Sequence, residues 1–324
     1  MMRSSQAQAM PVLHIVTGPT AVGKTELTLR WAEANNAEIL SCDSLLFYQG
    51  MDIGTAKPTK EERSRVAHHG IDLVPPSEAF NVARYIEVAK HAIEDIASRG
   101  KSILVTGGSG FYLKAFFAPV VDPLVIPQEI EMEVNKLYDC EGLNGVVSRL
   151  RQVSPEDTDR IDLCNPRRVI PALKRCLASG CSISELKARL REAPLPFANL
   201  PKTGVLLQRD RSIIRKRITE RTRAMLQAGL IDEVTRLREM GFEQNPSACG
   251  SIGYREVIDM QNGSLTEENL ESTISLHTDQ LVSKQLKWFR TQLPKLHPLN
   301  LDDPGLIEDP LGALTEAFAI HLVE

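Results

Sequence analysis

Gly18-Pro19-Thr20-Ala21-Val22-Gly23-Lys24-Thr25 has the pattern G-x-x-x-x-G-K-T of a phosphate-binding loop. Its glycines let the backbone curl so that N–H groups point inward at phosphate oxygens. Lys24 adds a full positive charge, and the Thr25 hydroxyl is suited to hold a Mg²⁺ that bridges those oxygens. The flanks fit this reading. Val12-Leu13-His14-Ile15-Val16-Thr17 is apolar and β-branched, as a buried parallel strand requires. After the loop, Leu27, Trp31 and Ala32 fall at helical spacing. Strand, loop and helix N-terminus together form an anion site, because the helix dipole also favours negative charge there. The expected fold class is α/β, with a P-loop parallel-sheet core.

Working outward, Ala37–Cys42 reads as a second strand that delivers Asp43 and Ser44 to a strand end, where open α/β sheets bind ligands. Asp43 has three readings there: a water-mediated Mg²⁺ partner, a general base, or a cap on the next turn. Tyr48–Pro58 has two glycines and little periodicity, so it is a long loop beside the phosphate site. His68 and His69 are adjacent and point different ways, which suits packing or substrate contact better than metal binding. Residues 81–98 form an amphipathic helix ended by Gly100. Ser102–Thr106 is a further strand, running into Gly107-Gly108-Ser109-Gly110-Phe111-Tyr112, a second glycine-rich turn facing the same crevice.

Near Pro119 the character changes. Helical patterns at 128–139, 143–152, 166–178 and 182–191 lack an intervening strand, and they carry Arg149, Arg151, Arg160, Arg167, Arg168, Lys174, Arg175, Lys187, Arg189 and Arg191. We read residues 121–201 as an all-helical insertion domain, and 11–120 with 202–324 as the core domain. Gly204–Gln208 returns to a strand, and a basic helix follows in which Arg217 and Arg221 lie one turn apart. Helices are expected at 230–240, 251–260, 266–290 and 311–322.

The 324 residues carry a net charge of −4, which argues against a protein basic all over but permits a local nucleic-acid patch. No apolar run is long enough to span a bilayer. The first ten residues lack a signal-peptide core and read as a disordered tail, with Met10 as an alternative start. Six cysteines form no CxxC pair, as expected for reduced thiols in the cytoplasm.

These motifs together resemble the tRNA dimethylallyltransferase (tRNA isopentenyltransferase) family of bacterial type. The resemblance rests on GPTAVGKT (18–25), DS…YQGMDIGTAKP (43–58), HHGID (68–72), GGSGFY (107–112), Arg217 with Arg221, GSIGYRE (250–256) and KQLKWFR (284–290). It implies transfer of a dimethylallyl group from dimethylallyl diphosphate to the exocyclic amine of the adenosine 3′-adjacent to the anticodon, with Mg²⁺ as cofactor. It further implies Asp43 as general base, with Ser109 and Arg217 as the other catalytic residues. The diphosphate would be held by Gly18 through Thr25, and the metal by Thr25. Contact with the tRNA anticodon stem-loop would fall to Asp43, Ser44, Arg167, Arg168 and Lys284 in a monomeric enzyme that flips the target base. The lack of a C-terminal zinc finger fits the bacterial type.

The chain departs from the family pattern at several positions. Ser109 stands for the usual threonine, and Leu45 and Leu46 fall where a glutamine is expected. Pro171 replaces an arginine and is expected to disturb its helix. Asp279 and Ser283 replace basic residues. Three alternatives compete: the same chemistry on free AMP, ADP or ATP; a P-loop kinase, for which the loop would be ATP-binding; and a non-catalytic RNA-binding paralogue.

Overall fold

A computed structural model describes residues 10–158, 161–320 and 323. The expected tail over 1–9, the candidate Arg160 and the last two positions of the expected terminal helix lie outside the described residues. The contacts divide the chain into two compact units, one running to Phe117 and resuming at Phe197, the other Ala118–Pro196.

The first unit is built on six parallel strands: β1 Leu13–Thr17, β2 Ala37–Ser41, β3 His68–His69, β4 Ser102–Gly107, β5 Lys202–Gln208 and β6 His297–Asn300, in the order β3-β2-β4-β1-β5-β6. The near-continuous burial of β1, β2 and β4 explains the apolar runs seen in sequence. From β1 the chain crosses to β2 on one side, whereas β4 leads to β5 on the other. The crevice between the ends of β1 and β4, where Thr17 pairs with Gly107, is therefore the topological switch point. The helices of this unit's first half are α1 Lys24–Ala34, α2 Lys60–Arg65, α3 Val82–Ser98 and α4 Gly110–Lys114.

The Ala118–Pro196 unit is helical, with α5 Gln128–Val153, α6 Pro166–Ser179 and α7 Ile183–Glu192. Its own core joins Val134, Val146, Leu150, Val169, Leu173, Cys176 and Leu186. Gly142, at φ 65°, breaks α5 where sequence periodicity separates two helices. Asn165 caps α6, and Ser182 with Glu185 forms a capping box on α7. The expected disturbance at Pro171 does not occur as a break: α6 runs through it. Pro171 is exposed, while Val169, Leu173 and Cys176 bury the opposite stripe and hold the helix despite one missing N–H.

After β5 come α8 Arg211–Gln227, α9 Leu230–Glu239, α10 Pro246–Cys249, α11 Tyr254–Gln261, α12 Glu267–Gln292, α13 Pro304–Glu308 and α14 Pro310–Ile320. Helices α1 and α14 share an apolar cluster with Val16, Leu104, Val205 and Leu299 of the sheet. There Trp31 meets His14 and Phe318 edge-on, and His14 lies tilted against Phe318. Full burial of each large apolar side chain there contributes about 1.5–3 kcal/mol. No helix among the described residues is long and apolar enough to cross a membrane.

Candidate active site

Two cavities of about 540 Å³ each open at the switch point within the first unit. One is lined by Lys24, Thr25, His68, Thr106 and Arg217 among others, and so belongs to the phosphate loop. The other is lined by Ser109, Phe111, Ile252, Lys284, Gln285, Trp288 and Phe289. Four residues line both: Thr20, Asp43, Thr55 and Arg221. They form the wall at which the two cavities meet.

The loop itself is held by Lys24, whose Nζ donates to the carbonyls of Gly18 (2.7 Å) and Pro19 (2.9 Å). That leaves the third ammonium N–H for a ligand. Burial pushes Lys24 down to about 8; the Asp43 carboxylate opposes this and the Arg221 charge adds to it. Gly108 lets these groups approach. A Cβ there would sit 3.0 Å from Gln285 Nε2, 3.7 Å from Lys24 Nζ and 3.8 Å from Asp43 Oδ2.

Asp43 Oδ1 accepts the Leu45 N–H at 3.2 Å and the Ser109 hydroxyl at 3.4 Å. Ser109 Oγ in turn accepts the Ser44 N–H at 2.9 Å and lies 3.0 Å from Ser44 Oγ. The two strand-end turns, after β2 and β4, are thus tied together through hydroxyls. Arg217 is exposed and donates to the Ala21 carbonyl at 2.8 Å, fastening α8 to the loop. Arg221, one turn on, lies deeper. Burial lowers its pKa, with Asp43 opposing and Arg217 adding to the effect.

Among the sequence candidates, Asp43, Ser44, Ser109, Lys24, Thr25, Arg217 and Lys284 therefore come together around the two cavities. Arg167 and Arg168 are exposed near the start of α6 in the helical unit. Three residues were not singled out for the site from sequence. In sequence Arg221 is only the second arginine of a pair, yet it is the arginine on the shared wall. Gln285 accepts the Thr20 N–H (2.9 Å) and donates to the Gly108 carbonyl (3.1 Å), stapling the two glycine-rich turns from α12. Glu233 receives three backbone N–H groups of the 52–54 segment. Nothing in local periodicity marks a glutamine or a glutamate whose loop partners lie 177 to 265 residues away.

No cluster of three His, Cys, Asp or Glu suited to a metal occurs among the described residues. The donor set instead fits a hard cation carried by a ligand's phosphates. Besides Thr25, the cavity presents Ser41 Oγ and Thr106 Oγ1, buried hydroxyls of paired strand positions that have no protein partner.

An all-parallel sheet with a phosphate-binding loop at its switch point, and a second cavity that shares Asp43 and Arg221 with it, places the chain in the P-loop class. Comparison with known proteins narrows this. The family model described as IPP transferase matches residues 46–292. A tRNA dimethylallyltransferase of Opitutus terrae is 52% identical over 284 residues, covering 88% of this chain and 91% of that one. The same-named protein of Roseiflexus castenholzii is 38% identical over 310 residues, covering 95% and 99%. A crystal structure of a tRNA isopentenylpyrophosphate transferase from Staphylococcus epidermidis superposes with a TM-score of 0.66 at 31% identity, over 94% of this chain and 98% of that one. The chain belongs to the IPP transferase family, whose relatives here are tRNA dimethylallyltransferases.

Proposed function

We propose that the chain transfers the dimethylallyl group of dimethylallyl diphosphate to the exocyclic amine of the adenosine 3′-adjacent to the anticodon of tRNA. The observation that carries this is the shared wall. A phosphate cavity and a cavity with Phe111, Trp288 and Phe289 in its lining meet at Asp43 and Arg221. In this reading the backbone of Gly18–Thr25, with Lys24 and Arg217, holds the diphosphate from one side. The acceptor base enters from the other. An aromatic amine is a weak nucleophile, so Asp43 orients it and takes its proton as the new C–N bond forms and the allylic C–O bond breaks. Ser109, already hydrogen-bonded toward Asp43, donates to the bridging oxygen as it leaves. Arg221 balances charge at the wall, and the apolar lining keeps water from the allylic carbon.

Mg²⁺, when bound, neutralises charge on the leaving diphosphate; Thr25 would hold it, with the hydroxyls of Ser41 and Thr106 nearby in the lining. Arg167, Arg168, Ser44 and Lys284 serve the anticodon stem-loop. The enzyme works as a cytoplasmic monomer.

The test is a labelled transfer assay. Purified protein with labelled dimethylallyl diphosphate and Mg²⁺ should label bulk tRNA and leave AMP unlabelled. Label on AMP alone would move the acceptor to free nucleotides. Asp43→Ala should lower turnover by about 10²–10⁴-fold while pyrophosphate affinity stays within about threefold. Unchanged turnover would remove Asp43 from the role of base.

A further inference from the structure

Residues 52–56 form neither helix nor strand, and none of them is buried. Their placement nevertheless matters, because Gly54 and Thr55 line the acceptor cavity and Thr55 also lines the phosphate cavity. With little apolar burial of its own, this segment is placed largely by polar contacts. Lys57 Nζ pairs with the Asp52 carboxylate (2.7 Å) and the Thr55 hydroxyl donates to the Met51 carbonyl (2.7 Å), while the backbone N–H groups of 52–54 converge on one side chain.

Glu233 on α9 is 2% exposed. Its Oε2 accepts the N–H groups of Asp52 (3.1 Å) and Ile53 (2.8 Å), and its Oε1 accepts the N–H of Gly54 (3.1 Å) and the hydroxyl of Tyr254 (2.7 Å). A carboxylate has about four acceptor sites, and all four are filled here by neutral donors. Tyr254 also closes the segment sterically, since a Cβ on Gly54 would lie 2.5 Å from its ring. One residue further on, the Thr55 carbonyl accepts Arg221 Nη2 at 3.4 Å. A chain of contacts therefore runs from Glu233 through the backbone of 52–55 to the guanidinium on the shared wall.

We propose that Glu233 is a positioning residue for the transfer step. By gathering three consecutive N–H groups it sets the height of the Thr55 carbonyl, and through it the location of Arg221 beside Asp43. This rests on the reading of Asp43 and Arg221 as the reacting wall. Glutamine has the same shape, but it puts an N–H₂ donor where two protein donors already point, so the segment must shift. Small displacements of a group at the reacting centre cost turnover more than affinity.

The experiment compares wild type, Glu233→Gln, Tyr254→Phe, Arg221→Lys and the Glu233→Gln/Arg221→Lys pair. Turnover, KM for dimethylallyl diphosphate and amide hydrogen exchange over 52–54 are measured for each. Glu233→Gln should lower kcat about 10–100-fold with KM within about threefold, and should speed exchange of those amides. Tyr254→Phe removes one donor of four and should lower kcat about threefold. In the pair, the two losses should not multiply, because both act through one guanidinium. Losses that do multiply, or Glu233→Gln turnover within twofold of an active wild type, overturn the proposal. If Glu233→Gln does not fold, Tyr254→Phe decides: unchanged kcat and unchanged exchange overturn it. A wild type that prenylates no acceptor overturns the reading of the site instead.

Discussion

Lys24 shows how a single side chain couples fold, electrostatics and ligand. Burial lowers its pKa to about 8, more than the Asp43 carboxylate can restore. A bound diphosphate favours the protonated form, so binding raises that pKa. Affinity is then full below about pH 8 and falls as pH rises from the free to the bound pKa. We expect Mg²⁺-pyrophosphate to bind about tenfold more weakly at pH 9 than at pH 7, by calorimetry, with proton uptake near pH 8.5. In Lys24→Met that part of the pH dependence should vanish. A wild-type profile identical to that of Lys24→Met would show that Lys24 does not titrate in this range. At this scale the sequence is highly legible for residues next to a motif: Lys24 and Thr25 open α1 after the glycine loop, and Asp43 and Ser109 follow strands β2 and β4 that apolar runs announce. It is poorly legible for Arg221, Gln285 and Glu233. Their roles come from where α8, α9 and α12 lie against the loops, which no local pattern encodes.

Among elements, the short edge of the sheet depends on one buried carboxylate. Glu38 on β2 is 1% exposed and receives His69 Nε2 (2.7 Å) of β3, the Arg99 guanidinium and Lys101 Nζ (2.9 Å). Burial alone would raise its pKa, but the hydrogen bonds from His69, Arg99 and Lys101 outweigh that and hold it at about 2. Its native pKa lies below its ordinary value of 4.5, so its stabilisation is complete above pH 4.5 and is lost as pH falls toward 2. Glu38→Gln should therefore lose about 2–4 kcal/mol at pH 7 and show a shallower acid limb between pH 4.5 and 2, read by urea titrations across pH. Equal slopes in the two proteins would remove Glu38 from the acid transition. The same edge explains why β3 was missed in sequence: two histidines with no alternation carry no strand signal, and only pairing with β2 makes them one. On the opposite edge β6 contains Pro298, a residue that argues against a central strand and is tolerated at an edge. Strands β1 and β4, each with a buried run of branched apolar residues, needed no such help.

For the whole molecule the question is how a chain of net charge −4 meets a polyanion. It needs a local excess of positive charge, and α8 offers one, with Arg211, Arg215, Lys216, Arg217, Arg221 and Arg223. Helix α12 partly cancels it. Asp279 accepts from Arg211 Nη2 (2.8 Å) and Arg215 Nε (3.3 Å), and Ser283 Oγ accepts from Arg211 Nη2 (2.8 Å). These are the positions at which the resemblance to the family leads one to expect basic residues. The departure thus has a structural consequence: Arg211 is held between α8 and α12, and the charge of the exposed Arg215 is partly neutralised by the same carboxylate. It also sets a trade. Asp279 ties α12 to α8, and α12 carries Gln285, the staple across the two glycine-rich turns. Asp279→Asn keeps the shape and one acceptor while releasing a unit of positive charge. If α8 meets tRNA, its affinity should rise about 3–10-fold at low salt, and the slope of log K against log salt should steepen by about one. Turnover at saturating tRNA should stay within about twofold, because Asp279 lines neither cavity. Unchanged affinity and slope would show that this face of α8 does not meet the nucleic acid, and would leave recognition to residues such as Lys284 at the cavity mouth and Arg167 and Arg168 on α6.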